Sequence, residues 1–131
     1  NDAEARALTG EGNLIKAAKR LSQMGPKMIV VKKGEHGVLF YSKNLMFSFP
    51  AYPVDRVVDP TGAGDTFAGA LMGYLSKVKK VDEKSLRKAL LYATALASFN
   101  VEGFGMAKTA SLTMADVERR LKVLVRFSAV Q

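Results

Sequence analysis

Two glycines and an aspartate stand close together in the stretch Val57-Val58-Asp59-Pro60-Thr61-Gly62-Ala63-Gly64-Asp65-Thr66-Phe67. Gly62 and Gly64 flank a small residue, so the backbone here can turn tightly and approach a ligand closely. After Asp65 the apolar residues recur at helical spacing, which predicts that the turn leads into the N-terminus of a helix. The unpaired N–H groups and the dipole at such an end favour an anion, most naturally a phosphate.

Asp65 is the residue of this stretch with the means to take part in a reaction. A carboxylate at a helix start usually caps the helix, so a glycine-rich turn capped by Asp65 is the purely structural alternative. Beside a bound phosphate, the same carboxylate can accept the proton of an attacking hydroxyl, as the catalytic-loop aspartate of protein kinases does. No Gly-Lys-Ser/Thr follows the glycines, so the stretch is not a Walker A loop.

The longer string D-P-T-G-A-G-D-T-F at 59–67 resembles the second signature of the ribokinase/PfkB family of carbohydrate and nucleoside kinases, D-T-x-G-A-G-D-x-F. Pro60 stands where threonine is common, and six positions match: Asp59, Gly62, Ala63, Gly64, Asp65 and Phe67. The resemblance implies that Asp65 is the general base that deprotonates the substrate hydroxyl. It also implies that the N–H groups of Gly62, Ala63 and Gly64 form an anion hole for the transferring phosphoryl group. Phosphoryl transfer depends mainly on positioning and electrostatic stabilisation, so the residue types suit these roles.

The first ten residues predict a short helix that carries a second carboxylate of interest. Asn1 suits the N-cap, Glu4 follows three residues later as in a capping box, and Gly10 is a stop signal. An N-x-x-E motif of the family falls at this place, which implies that Glu4, with Asn1 beside it, helps to organise Mg²⁺ and phosphate through water. Mg²⁺ keeps several waters and often meets a protein through one carboxylate, so this role is chemically reasonable.

The resemblance also implies a monovalent cation, with K⁺ as the candidate, bound by backbone carbonyls near Asp59 and Thr61. Side chains alone do not identify carbonyl ligands, so this expectation depends entirely on the family.

Three further stretches are expected to border the nucleotide. Lys33, Gly34 and Gly37 fit a K-x-G-x-x-G turn of the family if the adjacent Lys33-Gly34 pair is used, although a plain hairpin turn explains them equally well. Asn100 ends an alanine-rich helix that flanks the adenine pocket in the family, whereas core packing is the alternative explanation of the alanines. Gly103 belongs to a loop with two glycines that closes over the nucleotide in the family, but the common T-x-x-G-A form is missing here.

Periodicity along the rest of the chain predicts an α/β fold. Helical spacing and short apolar runs predict helices over 1–10, 14–24, from 65, over 84–100 and over 114–127, and strands over 28–31, 38–41 and 45–49. The last two strands form a predicted β-hairpin, and a helix before an apolar strand is typical of a parallel α/β layer. The expected fold class is therefore a layered, Rossmann-like and ribokinase-like α/β fold with a mainly parallel sheet, flanking helices and a β-hairpin, present in part.

Composition limits the remaining classes of function. The chain has 131 residues, which suits one domain, and a formal net charge of +8. It has no cysteine, so disulfides and thiolate metal sites are excluded, and this fits a cytoplasmic location. No long apolar run predicts a membrane span. The lysines are spread along helices and turns without a nucleic-acid-binding motif, so a solvated basic surface is favoured over nucleic acid binding.

Residues 1–131 are therefore expected to form the C-terminal nucleotide-binding and catalytic part of a ribokinase-like domain. The N-terminal part, with the substrate-binding region and its lid, is expected to be absent, because the chain begins with Asn1 and family members are longer. The expected function is ATP-dependent phosphotransfer to a sugar hydroxyl with Mg²⁺, and K⁺ is left open. One alternative is a nucleoside acceptor, and another is a nucleotide-binding or regulatory domain without turnover. A homodimer is a possible assembly.

Overall fold

The structure is a computed structural model that describes residues 1–103 and 110–129. Its backbone divides into two compact units, Asn1–Pro50 and Ala51–Gln131. Gly103 is described, whereas the rest of the expected glycine loop lies outside the described residues. Among the described residues, no helix is long and apolar enough to span a membrane.

The first unit consists of two helices and three strands. They are α1 (Asp2–Thr9), α2 (Leu14–Gln23), β1 (Met28–Lys32), β2 (Val38–Ser42) and β3 (Leu45–Phe49). The start of α1 follows the sequence closely, because Asn1 and Glu4 form a reciprocal capping box. Gly10 ends the helix in the left-handed region, with φ of 71° and ψ of 10°. The predicted short capped helix is therefore confirmed.

The three strands form one antiparallel sheet in the order β1-β2-β3. The hairpin of β2 and β3 is confirmed, but the mainly parallel sheet expected from the sequence is not what the described strands form. The reason lies in the connection between β1 and β2. Residues 33–37 are too few for the crossover that parallel neighbours require, so β2 returns beside β1 in the opposite direction.

Each face of this sheet buries its own set of apolar side chains, as strand alternation requires. One face and the two helices share a core of Ala5, Ala17, Ala18, Ile29, Val31 and Leu39. Phe40 belongs to the alternate set on β2 and stacks on Phe47 of β3, with ring centroids 4.9 Å apart. The small alanines let α1 and α2 approach β1 closely, which explains why this unit has a dense core despite its short elements.

The second unit is helical, with α3 (Ala63–Ser76), α4 (Glu83–Asn100) and α5 (Met114–Ser128). Helix α4 is the central element and buries residues along most of its length: Leu86, Ala89, Leu90, Ala93, Thr94, Ala95, Ser98, Phe99 and Asn100. Phe67 of α3 and Leu124 of α5 are buried as well. Core packing therefore accounts for the alanine-rich part of α4.

Candidate active site

The glycine turn begins α3 with a sharp reversal of the backbone. Gly62 has φ of 84° and ψ of −5°, and the Ala63 N–H donates to the Pro60 carbonyl oxygen at 3.2 Å. These values are those of the third residue of a type II turn, a position that requires glycine. The helix begins at Ala63, two residues earlier than the sequence indicated. The turn and the helix start are thus a single feature.

Asp65 is the third residue of α3, and its side chain is exposed. The N-cap is Gly62, which has no side chain to accept a capping bond. The capped-turn alternative is therefore wrong in its detail, because Asp65 lies inside the first turn and does not occupy the capping position. A carboxylate placed there, beside the positive end of the helix dipole, is well situated to meet a substrate close to a bound phosphate.

The three residues expected to form the anion hole lie together at the start of α3. The N–H of Ala63 is directed into the turn, toward Pro60. Gly62 is exposed and Gly64 is half-buried at the same helix end. The Ala63 N–H would reach a phosphate at this helix end only if its bond to the Pro60 carbonyl opened.

Asp59 stabilises the approach to the turn. Its carboxylate accepts the Thr61 N–H at 2.9 Å, which is the local bond of an Asx turn. The Thr61 N–H and then the Thr61 hydroxyl hold the pKa of Asp59 below its usual value, because both favour the ionised form. The N–H groups of Val58 and Asp59 both donate to the Val101 carbonyl oxygen, at 2.8 and 3.2 Å. The segment before the signature turn is thus bound to the end of α4.

Asn100, expected at the nucleotide, lies underneath the turn. It is 2% exposed, and its Nδ2 donates to the Thr61 carbonyl oxygen at 2.8 Å. Its Oδ1 accepts the Thr66 hydroxyl at 3.1 Å. The structure therefore joins Asn100 to the signature, and it brings in Thr66, to which the sequence interpretation gave no role. A contact 34 residues apart in the chain leaves no local pattern by which to find it.

Glu4 and Asn1 are occupied with each other at the start of α1. The Glu4 carboxylate accepts the terminal ammonium of Asn1 at 2.7 Å, and the Asn1 Oδ1 accepts the Glu4 N–H at 2.8 Å. The ammonium, by hydrogen bond and charge, holds the pKa of Glu4 below its usual value. Within the described residues, no three potential ligands from histidine, cysteine, aspartate and glutamate cluster as a metal site.

The Lys33-to-Gly37 turn joins β1 to β2 in the first unit. Gly34 and Gly37 both have positive φ, at 58° and 95°, so glycine is favoured at each. The Lys33 N–H donates to the Gly37 carbonyl oxygen at 2.7 Å, and its side chain is half-buried. This turn and Glu4 belong to residues 1–50, whereas the signature belongs to residues 51–131.

The loop that follows α4 is held by an arginine that sequence reasoning missed. Gly103 is half-buried there, and the neighbouring Glu102 carboxylate accepts from the Arg120 guanidinium of α5. That guanidinium also donates to the Ser98 hydroxyl at 3.0 Å. The guanidinium carbon Cζ of Arg120 lies 3.6 Å from the centroid of the Phe99 ring and 4.2 Å from the centroid of the Tyr52 ring.

Comparison with known proteins gives consistent matches. A family model described as pfkB family carbohydrate kinase matches residues 1–112. A cytidine kinase from Thermococcus kodakarensis is 39% identical over 85 residues, which cover 63% of this chain and 30% of that kinase. The crystal structure of ribokinase from Thermotoga maritima has a TM-score of 0.75 and 34% identity, covering 92% of this chain and 39% of that one.

A ribokinase II from E. coli, solved with ATP and Mg²⁺, has a TM-score of 0.75 and 28% identity. The match covers 93% of this chain and 37% of that one. The chain thus spans well under half the length of the proteins that it matches.

Proposed function

The chain belongs to the pfkB family of carbohydrate kinases, and from this premise we propose that it takes part in ATP-dependent phosphotransfer to a hydroxyl group of a sugar. The observation that carries the proposal is the exposed Asp65 carboxylate in the first turn of α3, next to a glycine turn that is fixed from below. This arrangement supplies a proton acceptor and a phosphate-binding helix end within a few residues of each other.

In the proposed reaction Asp65 accepts the proton of the acceptor hydroxyl as its oxygen attacks the γ-phosphorus of ATP. The bond from that phosphorus to the bridging β-phosphate oxygen breaks, and ADP leaves. The backbone N–H groups of Gly62, Ala63 and Gly64 are proposed to balance the negative charge on the phosphoryl oxygens. Lys33, Gly34, Gly37 and Gly103 are proposed to border the nucleotide.

Mg²⁺ is the proposed divalent cofactor. The exposed carboxylate of Glu4 is a hard oxygen donor of the kind that meets Mg²⁺ through water. When bound, the ion would neutralise phosphate charge. K⁺ is a further proposal, and the Thr61 carbonyl oxygen retains a second lone pair beyond its bond to Asn100.

The acceptor is proposed to be a sugar, with a nucleoside as the alternative in the same family. Relatives named ribokinase and cytidine kinase both match the chain. Phosphoryl transfer to a panel of sugars and nucleosides would therefore decide between the two classes of acceptor. We further propose that residues 1–131 correspond to the C-terminal part of the kinase domain, that the protein is cytoplasmic, and that a homodimer is one assembly to test.

Asp65→Asn, made in the full-length kinase to which residues 1–131 are proposed to belong, tests the proposal directly. The change keeps the size of the side chain and removes its basicity, so phosphoryl transfer should fall about 10²- to 10⁴-fold. The affinity for Mg²⁺-ATP should stay within a few-fold, because the base acts on the acceptor hydroxyl. Transfer from ATP to a panel of sugars and nucleosides gives the rate, and calorimetric titration gives the affinity.

Asp55→Asn is the matched control, since Asp55 is an exposed aspartate of the segment that leads to the signature. It should change neither quantity. Near-normal turnover by Asp65→Asn would remove the general base from the proposal. Saturable Mg²⁺-ATP binding without turnover by the unaltered protein would instead favour the nucleotide-binding alternative.

A further inference from the structure

The C-terminal end of α4 holds the signature turn through a buried amide. Asn100 is the last residue of the helix, and its two amide atoms bond to partners on opposite sides of the turn. The Thr61 carbonyl precedes Gly62, and the Thr66 hydroxyl follows Asp65 directly in sequence. One side chain therefore connects the entry and the exit of the segment that contains the candidate base.

Backbone bonds reinforce this connection one residue further along. The Val101 carbonyl oxygen accepts the N–H groups of Val58 and Asp59. A Cβ placed on Gly62 would lie 3.6 Å from Asn100 Nδ2, so the turn rests directly on the amide. Four hydrogen bonds from two consecutive residues, Asn100 and Val101, thus fasten residues 58–66 to the end of α4.

Asparagine suits this position because it offers a donor and an acceptor on one short, planar group. A buried amide that lost either partner would incur its desolvation cost, so the two bonds tend to be retained together. An aliphatic side chain of similar size could fill the space, but it would leave the Thr66 hydroxyl and the Thr61 carbonyl without this partner.

We propose that Asn100 is a positioning residue, which sets the place of Asp65 and of the phosphate-binding turn through Thr61 and Thr66. This role differs from the nucleotide contact that the family resemblance implied for Asn100. Its catalytic consequence rests on the proposed function, whereas the fastening of the turn does not. The two parts can therefore be tested separately.

Hydrogen exchange of the full chain tests the fastening without any ligand. Thr66→Val should speed amide exchange in residues 61–66 by roughly five- to tenfold, the effect of losing about one net hydrogen bond, and Asn100→Ala, which removes two bonds, should speed it at least as much. Thr94→Val is the matched control, because the Thr94 hydroxyl is buried on the same helix but bonds only within it, to the Leu90 carbonyl at 2.8 Å. It should leave exchange in 61–66 unchanged.

Kinetics test the consequence for catalysis. Thr66→Val should lower kcat by roughly five- to tenfold while KM for ATP changes less than about twofold, and Thr66→Ser, which keeps the hydroxyl, should restore kcat. The double variant of Thr66→Val and Asn100→Ala should be no slower than Asn100→Ala alone, since both remove the same bond.

Each outcome decides one part of the proposal. Unchanged exchange in folded Thr66→Val and Asn100→Ala would overturn the fastening, and Thr66→Val carries this test if Asn100→Ala does not fold. A raised KM for ATP in Asn100→Ala, with Thr66→Val behaving as the unaltered protein, would overturn positioning in favour of a nucleotide contact. If the unaltered protein neither binds Mg²⁺-ATP nor transfers phosphate, the proposed function fails while the exchange result still decides the fastening.

Discussion

Gly62 is the residue at which backbone geometry and the proposed chemistry depend on each other most directly. Its φ of 84° lies in the left-handed region, where a side chain costs about 1–2 kcal/mol. The turn that it permits brings the N-terminus of α3 to the surface immediately before Asp65. A side chain at this one position would therefore lower the stability of the fold and weaken phosphate binding.

Gly62→Ala should lower the free energy of unfolding by about 1–2 kcal/mol and weaken Mg²⁺-ATP binding. Gly69→Ala is the matched control: Gly69 lies inside α3, and among the described residues a Cβ added there meets no atom within 4 Å beyond its chain neighbours and the backbone of its own helix. That change should raise stability by about 0.5–1 kcal/mol, since alanine is the better helix former. Urea unfolding measures the free energy of unfolding of both variants. Equal effects of the two substitutions on it would contradict the role of the turn.

At the level of residues, the signature was the most informative part of the sequence, and its limits are instructive. The string around Asp65 predicted a turn and a helix start because glycine and apolar spacing act locally. The bond between Asn100 and Thr66 joins residues 34 positions apart, and nothing in either local pattern requires it. The contact of Asn100 with the turn can therefore be identified only from the three-dimensional structure.

At the level of elements, the end residues of α5 should make its stability depend on pH. The Asp116 carboxylate accepts the Thr113 N–H at 3.0 Å and the Thr113 hydroxyl at 2.9 Å. These bonds, the N–H first, hold the pKa of Asp116 below its usual value. A lowered pKa in the folded state means that the stabilisation is complete above the unfolded value of about 3.9 and is lost as pH falls through the folded pKa.

Asp116→Asn should therefore destabilise the protein near neutral pH, and the difference from the unaltered protein should shrink as the pH approaches 3. Urea unfolding at a series of pH values from 7 to 3 measures this difference, with Asp55→Asn as the control. A difference that stays constant across the series would show that the charge of Asp116 makes no contribution.

The elements that the sequence predicted best are those whose ends are specified by residues close together in the chain. The capping box expected at Asn1 is present, and the structure has a second one at Thr113. The antiparallel pairing of β1 with β2 was not predicted, because a helix followed by an apolar strand is common to many α/β layers and does not reveal which strand lies alongside. The pairing of β1 with β2 is decided by the short connection between them.

At the level of the whole molecule, nucleotide binding should appear as added stability. At about 100 times its Kd, Mg²⁺-ATP should add about 2.7 kcal/mol to the folded state if only that state binds. Differential scanning fluorimetry should show a rise in Tm that grows with Mg²⁺-ATP concentration, a smaller rise in Gly62→Ala, and little rise with AMP. Equal responses to AMP and to Mg²⁺-ATP would indicate that the phosphate chain is not recognised.

The guanidinium of Arg120 has a practical consequence for where the protein can be cut. The family match ends at residue 112, yet Arg120 lies beyond it and is enclosed by Phe99, Tyr52 and Glu102. A polypeptide trimmed to the matched region would lose the cation that fills this space and uncover the aromatic ring next to Asn100. The end of the family match therefore lies short of a contact that packs α5 against the end of α4, and any shortened version should retain α5.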